Sequence, residues 1–127
     1  MNIILFAHKE KGELLRNTIK KNGYGAQFHS FHNFNAFKSM LKKKFRNDNN
    51  EVLILFAESL NKLKQLISLI DLMEDKRIVL ILPDESELTL AVAAQFFPRF
   101  FMSVSDDYDN LCQVIGKMTD KNETSVA

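Results

Sequence analysis

Three stretches of the sequence are apolar at every position, and each has the length of a β-strand. They are IILFA at residues 3–7, VLILF at residues 52–56 and IVLIL at residues 78–82. A strand with one face in solvent alternates apolar and polar residues, whereas uninterrupted apolar strands are typical of a parallel sheet that helices cover on both faces. The three stretches therefore predict a buried parallel sheet. Together with two weaker patterns, the predicted strands are residues 3–7, 27–31, 52–57, 78–82 and 100–104.

Helical patterns lie between these strands. Apolar residues recur at spacings of three and four within residues 13–19, 34–45 and 60–73, which predicts three amphipathic helices. An apolar segment, residues 87–97, stops before Pro98, and a fifth helix is expected over residues 107–118 with Asp106 or Asp107 as its cap. Five strand–helix repeats predict an α/β three-layer sandwich with a five-stranded parallel sheet, for which the usual strand order is 2-1-3-4-5.

Composition excludes several classes of partner. The chain has 127 residues, of which 46% are hydrophobic, enough for one domain over residues 1–118 with a polar tail or linker start at 119–127. The chain has 17 basic and 16 acidic residues, so its net charge is too small to attract it to nucleic acid or to an anionic membrane. The basic run at residues 38–46 interleaves Met40, Leu41 and Phe45 at helical spacing, which indicates a solvated helix face. The only cysteine, Cys112, lies in an apolar run, so we expect a buried thiol and a cytoplasmic protein without an N-terminal signal segment.

The layout resembles a response-regulator receiver domain of two-component signalling. ILFAHKE followed by LLRNTIKKNGY is similar to the receiver opening, in which a strand ends in an acidic pair and a helix then closes on glycine. EVLILFAESL is similar to the strand that ends in the phosphorylated aspartate, IVLILPD to the strand that ends in a hydroxyl residue, and RFFMSV to the strand that ends in lysine. The resemblance implies a flavodoxin-like, receiver-like fold over nearly the whole chain.

The positions that carry receiver chemistry hold other residues. A receiver uses carboxylates to hold a divalent cation and an aspartate to accept the phosphoryl group. Here His8 and Lys9 replace the acidic pair, and Phe56 stands at the acceptor position. Pro83 replaces the hydroxyl residue and Ser103 the lysine. The resemblance therefore implies a degenerate receiver that has no metal, no cofactor and no enzymatic activity.

Other interpretations of the strand ends remain open. Lys9 could pair with Glu58 or Asp84 in place of a metal, or all three could be solvated loop charges. A metal site at His8 would lack a second histidine or a cysteine close by in sequence. The alternative function is a small-ligand or nucleotide sensor that uses the crevice at the strand ends, although only Gly12 is available for a phosphate-binding loop.

The segment AVAAQFFPRFFMSV, residues 91–104, has more aromatic side chains than one helix face and one strand readily bury. In receivers the fourth helix, fifth strand and fifth helix form the face that binds partners, and the resemblance implies the same face here. Interface centres favour aromatic residues and arginine. We therefore expect a protein partner, either a signalling protein or a second copy, at Gln95, Phe97, Arg99, Phe100 and Tyr108. The leading functional expectation is a phosphorylation-independent adaptor or dimerisation module.

Overall fold

A computed structural model describes residues 2–21, 27–43, 51–74 and 76–124, the last six of these by their backbone alone. In these residues five strands alternate with five α-helices, and one 3₁₀ turn precedes the fourth strand. The elements in chain order are β1 (Asn2–Phe6), α1 (Lys9–Lys20), β2 (Gln27–Phe31), α2 (Phe34–Lys43), β3 (Glu51–Phe56), α3 (Leu60–Ile67), the 3₁₀ turn (Ile70–Leu72), β4 (Arg77–Leu82), α4 (Glu87–Ala94), β5 (Phe100–Ser103) and α5 (Tyr108–Thr124).

All strand pairs are parallel, and the strand order is β2-β1-β3-β4-β5. The predicted fold class and strand order are confirmed. The middle strands are apolar throughout because both of their faces are covered: every residue of β3 is buried. The edge strand β2 is mostly exposed, which explains its weaker sequence pattern. The second edge strand is β5.

Alternate residues of each strand pack into two separate cores. One core joins one sheet face to α2, α3 and α4, with Phe37, Leu63 and Phe96 among its members. The other joins the opposite face to α1 and α5, with Leu15 and Leu111 among its members. Because side chains of a strand point alternately to opposite faces, these two cores account for the uninterrupted apolar runs. The result is the three-layer arrangement expected from the sequence.

The helix ends differ from the sequence prediction in two places. Helix α4 ends at Ala94 and not at Phe97, because Pro98 has no backbone N–H and restricts the residue before it. The chain leaves the helix through tight turns, and Phe97 takes a left-handed φ of 49°. Helix α5 extends beyond residue 118 to Thr124, into the segment expected to be a polar tail. Its predicted cap is confirmed at Asp107, whose Oδ1 accepts the Asp109 N–H at 3.0 Å.

Three other expectations concern surface and compartment. Helix α2 buries Phe37 and Leu41 and exposes Lys42 and Lys43, as expected for an amphipathic helix with a solvated basic face. Cys112 is buried, as expected. Within the described ranges, no helix is both long enough and apolar enough to cross a membrane. The helix-ending glycine Gly23, the apolar position at Phe45 and residues 125–127 lie outside the described residues.

Candidate functional site

The carboxyl ends of the five strands lie along one edge of the sheet, where ligand and reaction sites of such folds are found. Strands β1 and β3 are neighbours in register, with Phe6 opposite Leu55. Phe56, the last residue of β3, and His8, two residues after the end of β1, therefore come together at the centre of this edge. These are two of the positions at which the receiver resemblance expects carboxylates.

The rings of His8 and Phe56 are in direct contact. Their centroids are 5.7 Å apart and their planes meet at 84°, an edge-to-face geometry that aromatic pairs favour. Phe56 is only 4% exposed and belongs to the core shared with α1 and α5, while His8 is half-buried. An imidazole and a phenyl ring thus lie side by side at the ends of β1 and β3. A hard cation or a phosphoryl group has no oxygen ligand from either side chain.

Lys9 lies away from this pair. Its side chain is exposed and lines a groove of about 170 Å³ between α1 and β2, together with Arg16, Ser30 and His32. Within the described part of the chain Lys9 forms no ion pair with Glu58 or Asp84. Of the two alternatives left open by the sequence, the structure therefore does not support a pair in place of a metal, and Lys9 lines the groove beside β2 with Ser30 and His32. The groove is also smaller than the roughly 300–1,000 Å³ usual for ligand pockets.

The exit of β4 is organised by the start of α4. Pro83 is half-buried, and the Asp84 Oδ1 accepts the Ser86 N–H at 2.9 Å. Ser86 caps α4 by accepting the Thr89 N–H at 3.3 Å. Hydrogen bonds from the Thr89 side chain and then from Ser86 lower the pKa of the Asp84 carboxyl. Asp84 thus holds the capping residue Ser86 in place as an ionised hydrogen-bond acceptor.

Local hydrogen bonds among residues 103–106 form a turn after β5. Ser103 is buried, and its hydroxyl lies 2.8 Å from the Ser105 hydroxyl and accepts the Ser105 N–H at 3.2 Å. The Ser103 N–H donates to Asp106 Oδ2 at 2.9 Å. Ser103 therefore holds a turn, at the position where a receiver has a lysine that reaches the phosphoryl group. Across the described residues, no three His, Cys, Asp or Glu side chains are grouped so that they could hold a metal ion.

The five residues expected to bind a partner fall into two groups. Gln95, Phe97 and Arg99 are exposed, and Phe97 is 87% exposed. Phe100 and Tyr108 are half-buried and pack against the core shared with α1 and α5, and burial raises the pKa of the Tyr108 hydroxyl. Since Phe100 points to that core, its neighbour Phe101 points to the opposite side of β5, beside α4.

The sequence prediction missed the apolar residues that line a groove between α4 and β5. We call these residues the α4–β5 face: Leu90, Ala93, Ala94, Pro98 and Phe101. Phe97 lies outside this face and lines a separate cavity with Ile70, Lys76 and Gln95. Leu88 and Phe101 are more than half exposed. Helix α4 has the sequence ELTLAVAA, which is apolar on its outer side as well as on its inner side. An ordinary surface helix has a polar stripe. Its absence from α4 was the sequence signal that could have revealed this apolar face.

Solved structures with a similar fold include three of direct interest. A Burkholderia pseudomallei protein described as related to pilus assembly has a TM-score of 0.68 at 14% identity, over 94% of this chain and 90% of that chain. A response regulator from the same organism, with a phosphorylated aspartic acid, calcium and citrate, has a TM-score of 0.63 at 14% identity, over 99% and 72%. A response-regulator receiver domain from Rhodospirillum rubrum has a TM-score of 0.63 at 12% identity, over 92% and 90%.

Comparison by sequence finds no counterpart: no family model matches the chain, and neither does any curated protein. At 12–14% identity the structural likeness speaks for the fold alone. The parallel sheet of order 2-1-3-4-5, with helices on both faces, is that of the receiver domains among these structures. The chain therefore has the flavodoxin-like fold of response-regulator receiver domains.

Proposed function

We propose that the chain is a receiver-like signalling module that acts through protein contacts and without phosphorylation. The observation that carries this proposal is the contact between His8 and Phe56 at the strand ends. Phosphoryl transfer to a carboxylate requires an aspartate that a divalent cation can approach. A buried phenyl ring at the acceptor position, with an imidazole edge packed against it, supplies neither requirement.

The remaining strand-end residues support the same proposal. Asp84 accepts a hydrogen bond from the residue that caps α4, and Ser103 holds a turn, so both side chains have structural roles. One structure of similar fold carries a phosphorylated aspartic acid and a calcium ion. This chain has aromatic, capping and turn-forming side chains where such chemistry would take place. The aromatic pair at the strand ends and the small groove beside Lys9 also favour this proposal over an enzymatic role or a bound nucleotide.

A module that signals without phosphorylation requires a surface that a protein partner can bind. The α4–β5 face is apolar and exposed, and monomeric proteins rarely leave such a patch uncovered without a binding function. We propose that this face, with Gln95 and Arg99 at its border, binds a signalling protein or a second copy of the chain. The compartment proposed is the reducing cytoplasm, which suits a buried thiol such as Cys112.

The test is the response of the amide spectrum to Mg²⁺ with beryllofluoride, a mimic of the phosphoryl group. We expect no localised shifts near His8, Phe56 and Pro83, while an intact receiver domain treated in parallel responds and so validates the reagent. Acetyl phosphate should likewise leave the intact mass unchanged. Localised shifts that disappear in Glu58→Gln or Asp84→Asn would show that these carboxylates bind the metal, and would overturn the proposal.

A further inference from the structure

We propose that the cavity between the 3₁₀ turn and the end of α4 binds a segment of a partner protein, in which an apolar side chain is flanked by arginine or lysine. We call it the amino-edge cavity, because it lies where β4 and β5 begin. Its lining residues include Ile70, Asp71, Glu74, Lys76, Gln95 and Phe97. It lies outside the α4–β5 face and away from the carboxyl ends of the strands, so this inference goes beyond the proposed function.

The size of the amino-edge cavity suits a single side chain. Its volume is about 240 Å³. Its inner wall is apolar, because the lining residues Met73, Ile78 and Phe96 are each at most 3% exposed. An apolar cavity of roughly 150 Å³ holds benzene, whereas pockets for small ligands usually measure roughly 300–1,000 Å³. The cavity therefore has room for one apolar anchor, such as leucine, and is small for a cofactor.

Backbone hydrogen bonds hold both walls of the cavity. On the side of the 3₁₀ turn, the Met73 N–H donates to the Ile70 carbonyl at 3.0 Å, and the Lys76 N–H donates to the Met73 carbonyl at 3.1 Å. At the end of α4, the Phe97 N–H donates to the Ala94 carbonyl at 3.1 Å. The cavity is thus already formed, and a segment that enters it does not have to order the walls.

The charge at the mouth of the cavity is negative. Asp71 and Glu74 are exposed, and neither forms an ion pair with another described residue. The Lys76 side chain is only 5% exposed and is bonded to Glu51 at 2.8 Å, so its charge is already matched by a buried carboxylate. The exposed Arg99 is not among the lining residues. Two carboxylates around an apolar cavity favour a partner whose apolar anchor has basic neighbours.

Phe97 supplies an aromatic surface at the same mouth. It is 87% exposed, so its ring contributes little to the core of the domain. Its φ of 49° lies in the left-handed region, which favours glycine, and backbone outliers of this kind are concentrated at functional sites. The face of a phenyl ring attracts a guanidinium or ammonium group. Phe97 is thus placed to contact both the apolar anchor and its basic neighbour.

The first experiment titrates capped pentapeptides into the full chain and follows the backbone amide spectrum. The probe has a central leucine between two arginines, and its control has citrulline, a neutral isostere, in place of both arginines. We expect shifts confined to residues 70–78 and 95–97, and at least about fivefold tighter binding of the arginine peptide, which alone forms rim ion pairs and a cation–π contact. A peptide with serine in place of leucine should bind more weakly than the probe. Equal affinities of the arginine and citrulline peptides, or no shifts in this region up to about 10 mM probe, overturn the proposal.

The second experiment identifies the carboxylates that select the basic neighbours. The double variant Asp71→Asn with Glu74→Gln should bind both peptides equally, with its affinity for the citrulline peptide unchanged. Glu85→Gln with Glu87→Gln is the matched control, because it removes two exposed carboxylates at the other end of α4. This control should keep the full preference for arginine. Loss of the preference in the control, or its persistence in the Asp71 and Glu74 variant, overturns the proposal.

The third experiment separates the amino-edge cavity from the α4–β5 face. Phe97→Gly should weaken binding of the arginine peptide at least about threefold, because the ring that packs on the guanidinium is removed. Phe101→Ser, at a phenylalanine that is 51% exposed on the α4–β5 face, should leave the affinity unchanged. No effect of Phe97→Gly, or a larger effect of Phe101→Ser, overturns the proposal. None of these measurements uses Mg²⁺ or beryllofluoride, so their failure leaves phosphorylation independence standing.

Discussion

At the scale of single residues, Phe97 has the least favourable surroundings among the described side chains. Helix α4 must end before Pro98, and the turn that ends it places Phe97 at a φ of 49°. In most proteins a glycine occupies such a position after a helix, because it has no Cβ to clash with the carbonyl oxygen. The ring then points into solvent, where it buries little apolar area.

Replacing Phe97 by glycine should therefore stabilise the domain in dilute, monomeric solution. We expect a gain of about 0.5–1 kcal/mol in the free energy of unfolding, since relief of left-handed strain exceeds the added entropy of the unfolded chain. Urea denaturation at low protein concentration measures it. Phe97→Ala is the control, because it removes the ring and keeps the Cβ. Equal stability of the glycine and alanine variants would contradict the strain argument.

At the scale of elements, a buried ion pair joins β3 to the segment that leads into β4. Glu51 begins β3 and is 1% exposed, and its Oε1 lies 2.8 Å from the Nζ of Lys76, directly before β4. Breaking such a pair leaves one buried charge without its partner, whereas replacing both charges by apolar groups is often neutral. The pair thus anchors the amino ends of two central strands.

Lys76→Met should lower the free energy of unfolding by about 3–5 kcal/mol, because it breaks the buried ion pair between Lys76 Nζ and Glu51 Oε1. The double variant Glu51→Leu with Lys76→Met should lose much less than Lys76→Met alone. Lys64→Met, at an exposed position of α3, should change stability by no more than about 0.5 kcal/mol. Chemical denaturation of the native chain and these three variants measures the stabilities, and Glu51→Leu alone completes the double-mutant cycle that gives the coupling energy. A double variant as unstable as Lys76→Met would show that the broken ion pair is not the cause of the lost stability.

At the scale of the whole molecule, the thiol of Cys112 is a probe of the complete fold. It lies on α5 beneath α1, and its Sγ is 3.9 Å from the carbonyl oxygen of Thr18. Burial, and then the nearby carboxylates of Asp109 and Asp107, raise the pKa of this thiol. Both the exposure and the thiolate fraction that a disulfide reagent needs are therefore low in the folded state.

Cys112 should react with a disulfide reagent only when α5 separates from α1, at least about a thousandfold more slowly than an exposed thiol, given the usual stability of a domain. A second thiol introduced by Leu14→Cys, at an exposed position of α1, serves as the internal comparison. The reaction rate of Cys112 should rise with urea in step with global unfolding. Rapid reaction of both thiols in native buffer would contradict the packing of α5 on α1.

The main features of the architecture were predictable from local pattern. Runs such as VLILF and IVLIL have no polar face, so only a sheet covered on both sides can bury them, and the alternation of strands with helices then limits the topology to a few arrangements. The presence of ring side chains at His8 and Phe56 was also predictable, because it follows directly from residue type. The contact between these two rings was not, since they are distant in sequence and meet only when β1 pairs with β3.

The α4–β5 face shows what the local sequence pattern could not predict. The sequence indicated an aromatic surface between residues 91 and 104. It could not show which of the adjacent residues Phe100 and Phe101 lies on which side of β5. Pairing with β4 turned Phe100 towards the core and Phe101 towards α4, and the early end of α4 exposed Phe97. Sequence by itself determined the class of fold, because it follows from residue type and spacing. Tertiary structure alone decided which apolar side chains face solvent, because burial depends on partners distant in the chain.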